Sequence, residues 1–184
     1  ANEGMVYQDA PSKALLQHHR AMAAGGVGLT TVAYGAVSDV GRTLQAQVWL
    51  RPGILPELKA LADAVHAEGG AISYQITHGG SFITSRRVKG ATMSAMNGFN
   101  KAGFLRGNLF HRAMNRADME QVTEQFVSAA RVCRDAGFDA VEIHMGHGYL
   151  LNQFISPLSN RRKDEFGGSA LNRVRFPAQV LARV

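Results

Sequence analysis

Three times along the chain a helical stretch closes on glycine and a short apolar run follows at once: ALLQHHRAMAAGG then VGLTTVAY, ELKALADAVHAEGG then AISYQI, and EQVTEQFVSAARVCRDAG then FDAVEIH. Glycine there suits the left-handed residue that ends many helices. In the third helical stretch Val122, Phe126, Ala129, Cys133 and Ala136 stand four, three, four and three residues apart, one apolar stripe to lay on a sheet. A fourth helix is predicted from Ser169, a good N-cap residue, to the end of the chain. Helix and strand alternating without hairpins predict parallel strands joined by right-handed crossovers.

The strand runs carry a second pattern. With side chains alternating, Ile72, Tyr74 and Ile76 face one way and Ser73, Gln75 and Thr77 the other, while Val141 and Ile143 oppose Glu142 and His144. An open doubly wound sheet is covered by helices on both faces and reads as mostly apolar, so polar residues on one face point instead to a (β/α)8 TIM barrel, with its site at the C-terminal ends of the strands. The rival dinucleotide-binding fold needs a glycine-rich fingerprint at a strand-to-helix turn, and none is present. Eight such units take roughly 250 residues. Residues 1–184 are therefore expected to be one partial α/β barrel domain of about three βα units, with open sheet edges and the first strand and the C-terminal half lying elsewhere.

Composition adds limits. The chain is 46% hydrophobic and 18% charged, in keeping with a cored globular domain. No apolar run reaches the roughly 18 residues of a membrane span, and the N-terminus lacks the order of a signal peptide; a cytoplasmic protein without a membrane partner is expected. Cys133 is the only cysteine, so an internal disulfide is excluded, and its place on the helical stripe predicts packing. Of the net charge of +6, much lies between Gly79 and Ala117, where Arg86, Arg87, Lys89, Lys101, Arg106, Arg112 and Arg116 stand with no Asp or Glu. Such a loop suits solvent, a phosphate-bearing small molecule or nucleic acid. No nucleic-acid motif accompanies it, so no nucleic-acid partner is expected.

Candidate chemistry gathers after the third strand, in HMGHGY. His144 and His147 stand three apart with Tyr149 two further on. Two imidazoles there fit hydrogen-bonded structural histidines, metal ligands with Glu142, or catalytic donors. A zinc-protease helix wants histidines four apart with an intervening glutamate, which this spacing lacks; the spacing alone does not decide among the three, and it is the longer signature below that leaves no metal expected.

The longer stretch AGFDAVEIHMGHGYLLNQFISPLSNRRKDEFGGSALNRVRF, with AAGGVGLTTVAYGAVSDVGR and SYQITHGG upstream, resembles the Old Yellow Enzyme family of flavin-dependent NAD(P)H oxidoreductases, which includes 2,4-dienoyl-CoA reductases. The resemblance implies that the chain holds the second to fourth strands of a barrel that binds flavin mononucleotide (FMN). It implies that NADH or NADPH is the reductant, and that hydride passes to the activated C=C bond of a small α,β-unsaturated carbonyl or related compound. It assigns His144 and His147 as donors to the substrate carbonyl, Tyr149 as the proton donor, and Gln75, Tyr34 and His144 as cofactor contacts. Any iron–sulfur cluster would belong to a downstream region, and homo-oligomer formation is left open. The competing expectation is a flavin-free structural or binding half-barrel, or an inactive fragment. In SNRRKDEFGGS, Asn160, Arg161 and Asp164 are expected to fix the loop, Gly167 and Gly168 to turn it and Ser169 to cap the next helix. Where the family often has His-x-Gly-Arg this chain has HGGS, often Tyr where Phe166 stands and Glu where Leu171 stands. Gly80 in place of arginine leaves the anchoring of its loop to be found.

Overall fold

The computed structural model describes residues 3–83, 91–100 and 108–184. A short hairpin of β1 (Val6–Tyr7) and β2 (Ala10–Pro11) leads into α1 (Lys13–Ala24), β3 (Leu29–Ala36), α2 (Leu55–His66), β4 (Ala71–Thr77), α3 (Arg116–Asp135), β8 (Ala140–Ile143), α4 (Leu150–Ile155) and α5 (Ala170–Arg183). Between β4 and α3 lie β5 (Thr92–Ser94), β6 (Gly98–Phe99) and β7 (Phe110–Ala113). The main sheet has the order β3-β4-β8, and both pairings are parallel.

Each predicted helix–glycine–strand unit forms. Gly26, Gly69 and Gly137 have φ of 92°, 79° and 89°, the conformation that lets the chain leave a helix and turn into the next strand. Ser12, Asn115 and Ser169 cap α1, α3 and α5 through their side chains, and Asn115 with Asp118 forms a reciprocal capping box. On the helix-covered face Ile72, Tyr74 and Ile76 are buried with Phe126, Ala129 and Cys133, and the Tyr74 and Phe138 rings pack 5.2 Å apart. Burial alone pushes the Cys133 thiol up to about 12, as expected of a packed cysteine. The opposite face carries Thr31, Ser73, Gln75 and Glu142. Register sets Thr31 beside Ser73 and Gln75 beside Glu142, and the Thr31 and Ser73 hydroxyls meet at 2.5 Å.

Three details differ from the sequence reading. The basic stretch is not loop throughout, because it holds the small sheet β5-β7-β6. None of these short strands carries a hydrophobic period of its own that marks it out. β3 runs past Tyr34 to Ala36, with a register shift between Val32 and Gly35 that breaks its alternation. The loop after α4 is held by Arg162 rather than Arg161. Arg162 donates to Ala95 O and Met114 O and pairs with Asp164, whereas Arg161 is exposed. Asn160 does bridge the loop as expected, donating to Phe154 O and Phe166 O at 2.7 Å each.

Of the basic stretch, Arg86, Arg87, Lys89, Lys101 and Arg106 lie outside the described residues. The two that are described are paired: Arg112 with Asp118 through two hydrogen bonds of 2.6 and 2.7 Å, and Arg116 with Glu165. Among the described residues no helix is long and apolar enough to cross a membrane.

Candidate active site

The C-terminal ends of β3, β4 and β8 bring five of the sequence-predicted groups to one edge of the sheet. His144 follows β8 directly and donates its backbone N–H to Ile76 O at 3.0 Å. His147 has φ of 55° and Gly148 of 75°, so the chain reverses within a few residues. The left-handed pair turns the His147 ring back onto His144 and leaves Tyr149 as the N-cap of α4. His147 Nδ1 and His144 Nε2 are 3.2 Å apart, and the Tyr149 ring stands edge-on to His144 with centroids 5.1 Å apart.

From the other side of β4, Tyr34 reaches across so that its phenol oxygen lies 2.9 Å from that of Tyr149. The Tyr34 ring also tilts over His144, with centroids 6.3 Å apart. Gln75 lies one step inward on the same polar face, where its Nε2 donates to the Glu142 carboxylate. The structure therefore gathers His144, His147, Tyr149 and Tyr34 into one cluster beside Gln75. Among the described residues no group of three or more His, Cys, Asp or Glu is placed to hold a metal ion.

Electrostatics follow from this geometry. Burial, then the neighbouring His147, lower the His144 pKa below its ordinary value, against a smaller opposing pull from Glu142. His144 is accordingly neutral near pH 7 and can present one N–H as a donor. Burial and the hydrogen bond to Tyr34 hold the Tyr149 phenol above the usual range, so it keeps its proton at physiological pH.

Four contributing side chains were missed by sequence reasoning. Phe82 packs edge-on to Tyr149 at 6.0 Å. A Cβ on Gly148 would come within 2.9 Å of that ring, which fixes glycine there as well. Thr43 and Gln47, on the loop after β3, continue the hydrogen bonding from Tyr34. Gln153 of α4 is buried and anchors the loop at Gly80. Its Oε1 accepts from Ser81 N–H at 3.2 Å and Ser94 Oγ at 2.9 Å, and its Nε2 donates to Gly148 O at 2.6 Å. Gln153 lies in the motif that carried the resemblance, four residues after Tyr149, and that helical spacing was the available signal.

A parallel sheet helix-covered on one face, with imidazoles, phenols and an amide at the C-terminal edge of the other, is the architecture of an α/β-barrel enzyme site. The chain belongs to the NADH:flavin oxidoreductase / NADH oxidase family, whose model matches residues 4–184. It is 38% identical to the 4,4'-dithiodibutanoate disulfide reductase of Rhodococcus erythropolis, over 99% of this chain and 44% of that one. It is 36% identical to an NADPH dehydrogenase of Geobacillus sp. (strain WCH70), over 91% of this chain and 47% of that one. The fold is similar to the crystal structure of Old Yellow Enzyme from Pichia sp. AKU4542, with a TM-score of 0.90 and 26% identity over 98% of this chain and 50% of that chain. These neighbours are TIM barrels, so the three parallel βα units form part of such a barrel. The chain spans about half the length of the relatives it matches.

Proposed function

We propose that residues 1–184 are the part of an FMN-dependent barrel that carries the proton-donating and carbonyl-binding groups of an NAD(P)H oxidoreductase acting on activated C=C bonds. In this reading they supply the second to fourth barrel strands. The observation that carries the proposal is the convergence of His144, His147 and Tyr149 at one strand edge beside Gln75. The polar face fits a flavin ring: Gln75 offers an amide, and Thr31 and Ser73 offer hydroxyls. Gln75, the backbone near Tyr34 and His144 are the residues that would hold it. FMN, when bound, accepts hydride from NADH or NADPH and passes it to the substrate.

The chain's own residues then have distinct tasks. Neutral His144 and its neighbour His147 direct N–H groups at a substrate carbonyl oxygen, where negative charge grows as the β-carbon is reduced. Tyr149 holds a proton that it gives to the α-carbon. Phe82 packs edge-on against the Tyr149 ring and helps to fix its position.

The kinship to a disulfide reductase supports a second reading, in which the same site reduces a dithio compound. Cleaving the S–S bond with hydride yields one thiol and one thiolate. A thiolate is a stable leaving group near neutral pH, so this reaction makes no demand on a phenolic acid. Anaerobic stopped-flow measurement on the full-length protein separates the readings. Tyr149→Phe should slow reoxidation by 2-cyclohexenone by about 100-fold or more and leave reduction by NADPH unchanged. If the parent prefers 4,4'-dithiodibutanoate and Tyr149→Phe reduces it at the parent rate, the disulfide reading holds. If Tyr149→Phe reduces the enone at the parent rate, Tyr149 is not its acid.

A further inference from the structure

The Tyr149 hydroxyl ends a line of four polar side chains. Tyr149 Oη and Tyr34 Oη are 2.9 Å apart, Tyr34 Oη and Thr43 Oγ1 2.8 Å, and Thr43 Oγ1 donates to Gln47 Oε1 at 3.1 Å. Gln47 Oε1 also accepts the Thr43 backbone N–H at 2.7 Å. That backbone donor fixes which way the Gln47 amide faces, because the flipped amide would set donor against donor. Thr43 and Gln47 are both buried, so water does not compete at that end.

A fixed acceptor at the end of the line sets its direction. An amide oxygen can only accept, and each hydroxyl has one proton to give. Thr43 gives its proton to Gln47, so its oxygen accepts from Tyr34, whose oxygen accepts from Tyr149. In the resting site the Tyr149 proton is thus aimed at Tyr34, and the Tyr149 lone pairs are turned elsewhere. The line can also run the other way without breaking a covalent bond. When Tyr149 has lost its proton, the Tyr34 hydroxyl turns to donate to the phenolate and the Thr43 hydroxyl turns to donate to Tyr34. Gln47 Oε1 keeps the backbone N–H of Thr43 throughout.

We propose that Tyr34 is a positioning residue that accepts from neutral Tyr149 and donates to its phenolate, so that it governs proton delivery through Tyr149. The inference rests on the reading of Tyr149 as the acid. Balance is simple: the Tyr149 proton goes to the substrate atom made basic by reduction, two hydroxyl hydrogens rotate, and water returns a proton to Tyr149. A hydrogen bond to an ionised oxygen is stronger than one to a neutral oxygen, so the turn stabilises the state after proton transfer more than the state before it. Burial, and the resting bond to Tyr34, keep Tyr149 reluctant to ionise, and a donor turned toward the phenolate offsets part of that cost. The role differs from a cofactor contact, the one that the family resemblance implies for Tyr34.

A double-mutant cycle on the full-length holoenzyme, with 2-cyclohexenone as the probe, tests the inference. Tyr34→Phe should slow the enone half-reaction roughly tenfold, well beyond any change in NADPH oxidation, and raise its solvent deuterium isotope effect. In a Tyr149→Phe background the same change should cost nothing further. Thr43→Val keeps the side-chain shape and removes the donor to Tyr34, so it should act in the same direction and with the same dependence on Tyr149. A readout independent of turnover is the phenolate absorbance that appears at high pH and that Tyr149→Phe removes. The resting bond that Tyr149 gives to Tyr34 favours the neutral phenol, and the bond that Tyr34 turns to give the phenolate is the stronger of the two, so with Tyr34→Phe the titration should move to higher pH. An equal slowing in the Tyr149→Phe background, or an unmoved or downshifted titration, would overturn the inference while leaving Tyr149 as the acid. A parent rate in Tyr149→Phe alone would remove the acid reading and this inference together.

Discussion

His78, at the end of β4, is buried, and its Nδ1 accepts the Gly80 N–H at 3.1 Å. Its Nε2 has no hydrogen-bond partner among the described residues, and burial lowers its pKa to about 4. The unfolded chain, with a histidine near 6.5, binds this proton more readily than the folded one between those values. Stability from His78 is therefore complete above pH 6.5 and is lost as pH falls toward 4, by about 3 kcal/mol in all. Urea midpoints of the parent and His78→Gln should converge over that interval, and a pH-independent gap would contradict the assignment. His144 is set apart by its task. His144→Ala should weaken binding of phenol-type ligands and slow enone reduction together, by roughly 3 to 4 kcal/mol for a lost oxyanion donor, measured by ligand titration and stopped flow. Residue identity was legible wherever a motif named it, as for His144, His147, Tyr149 and Gln75. Thr43 and Gln47 were not legible, because a loop hydrogen bond leaves no periodic trace, and the choice between Arg161 and Arg162 turned on which side chain faces inward.

At the scale of elements, α4 does more than its six residues suggest. Gln153 ties it to the Gly80 loop, to β5 and to the turn that carries Tyr149. Gln153→Ala would leave several buried donors and acceptors unpaired and should cost about 2 to 4 kcal/mol in denaturant unfolding, with a loss of enone reduction as the Tyr149 turn loosens. Full retention of both would show that other contacts hold the loop. The same amide accounts for glycine at position 80. Gly80 has φ of 61°, and a Cβ there would lie 2.5 Å from Gln153 Oε1, so the glutamine amide occupies the space against the loop. The long helices and β4 were legible from periods that run over seven or more residues, and β3 and β8 from the glycine-ended helices before them. β5, β6, β7 and α4 were not, since each is set by tertiary contacts rather than by its own pattern.

For the whole molecule, the division of the sheet into an apolar and a polar face was readable from alternation in two strands, and it correctly separated a barrel from a doubly wound sheet. The polar face is where the account makes its main commitment, since its groups are read as a flavin seat rather than as the lining of a flavin-free binding module. Gln75 sits centrally on that face, paired with Glu142 across the β4–β8 register. The most direct measurement is titration of the cofactor-stripped full-length protein with FMN, followed by quenching of flavin fluorescence. Binding should be saturable, and Gln75→Leu should weaken it by about tenfold, the worth of one or two hydrogen bonds. A folded full-length protein that takes up no FMN would contradict the flavin seat and leave the flavin-free half-barrel standing.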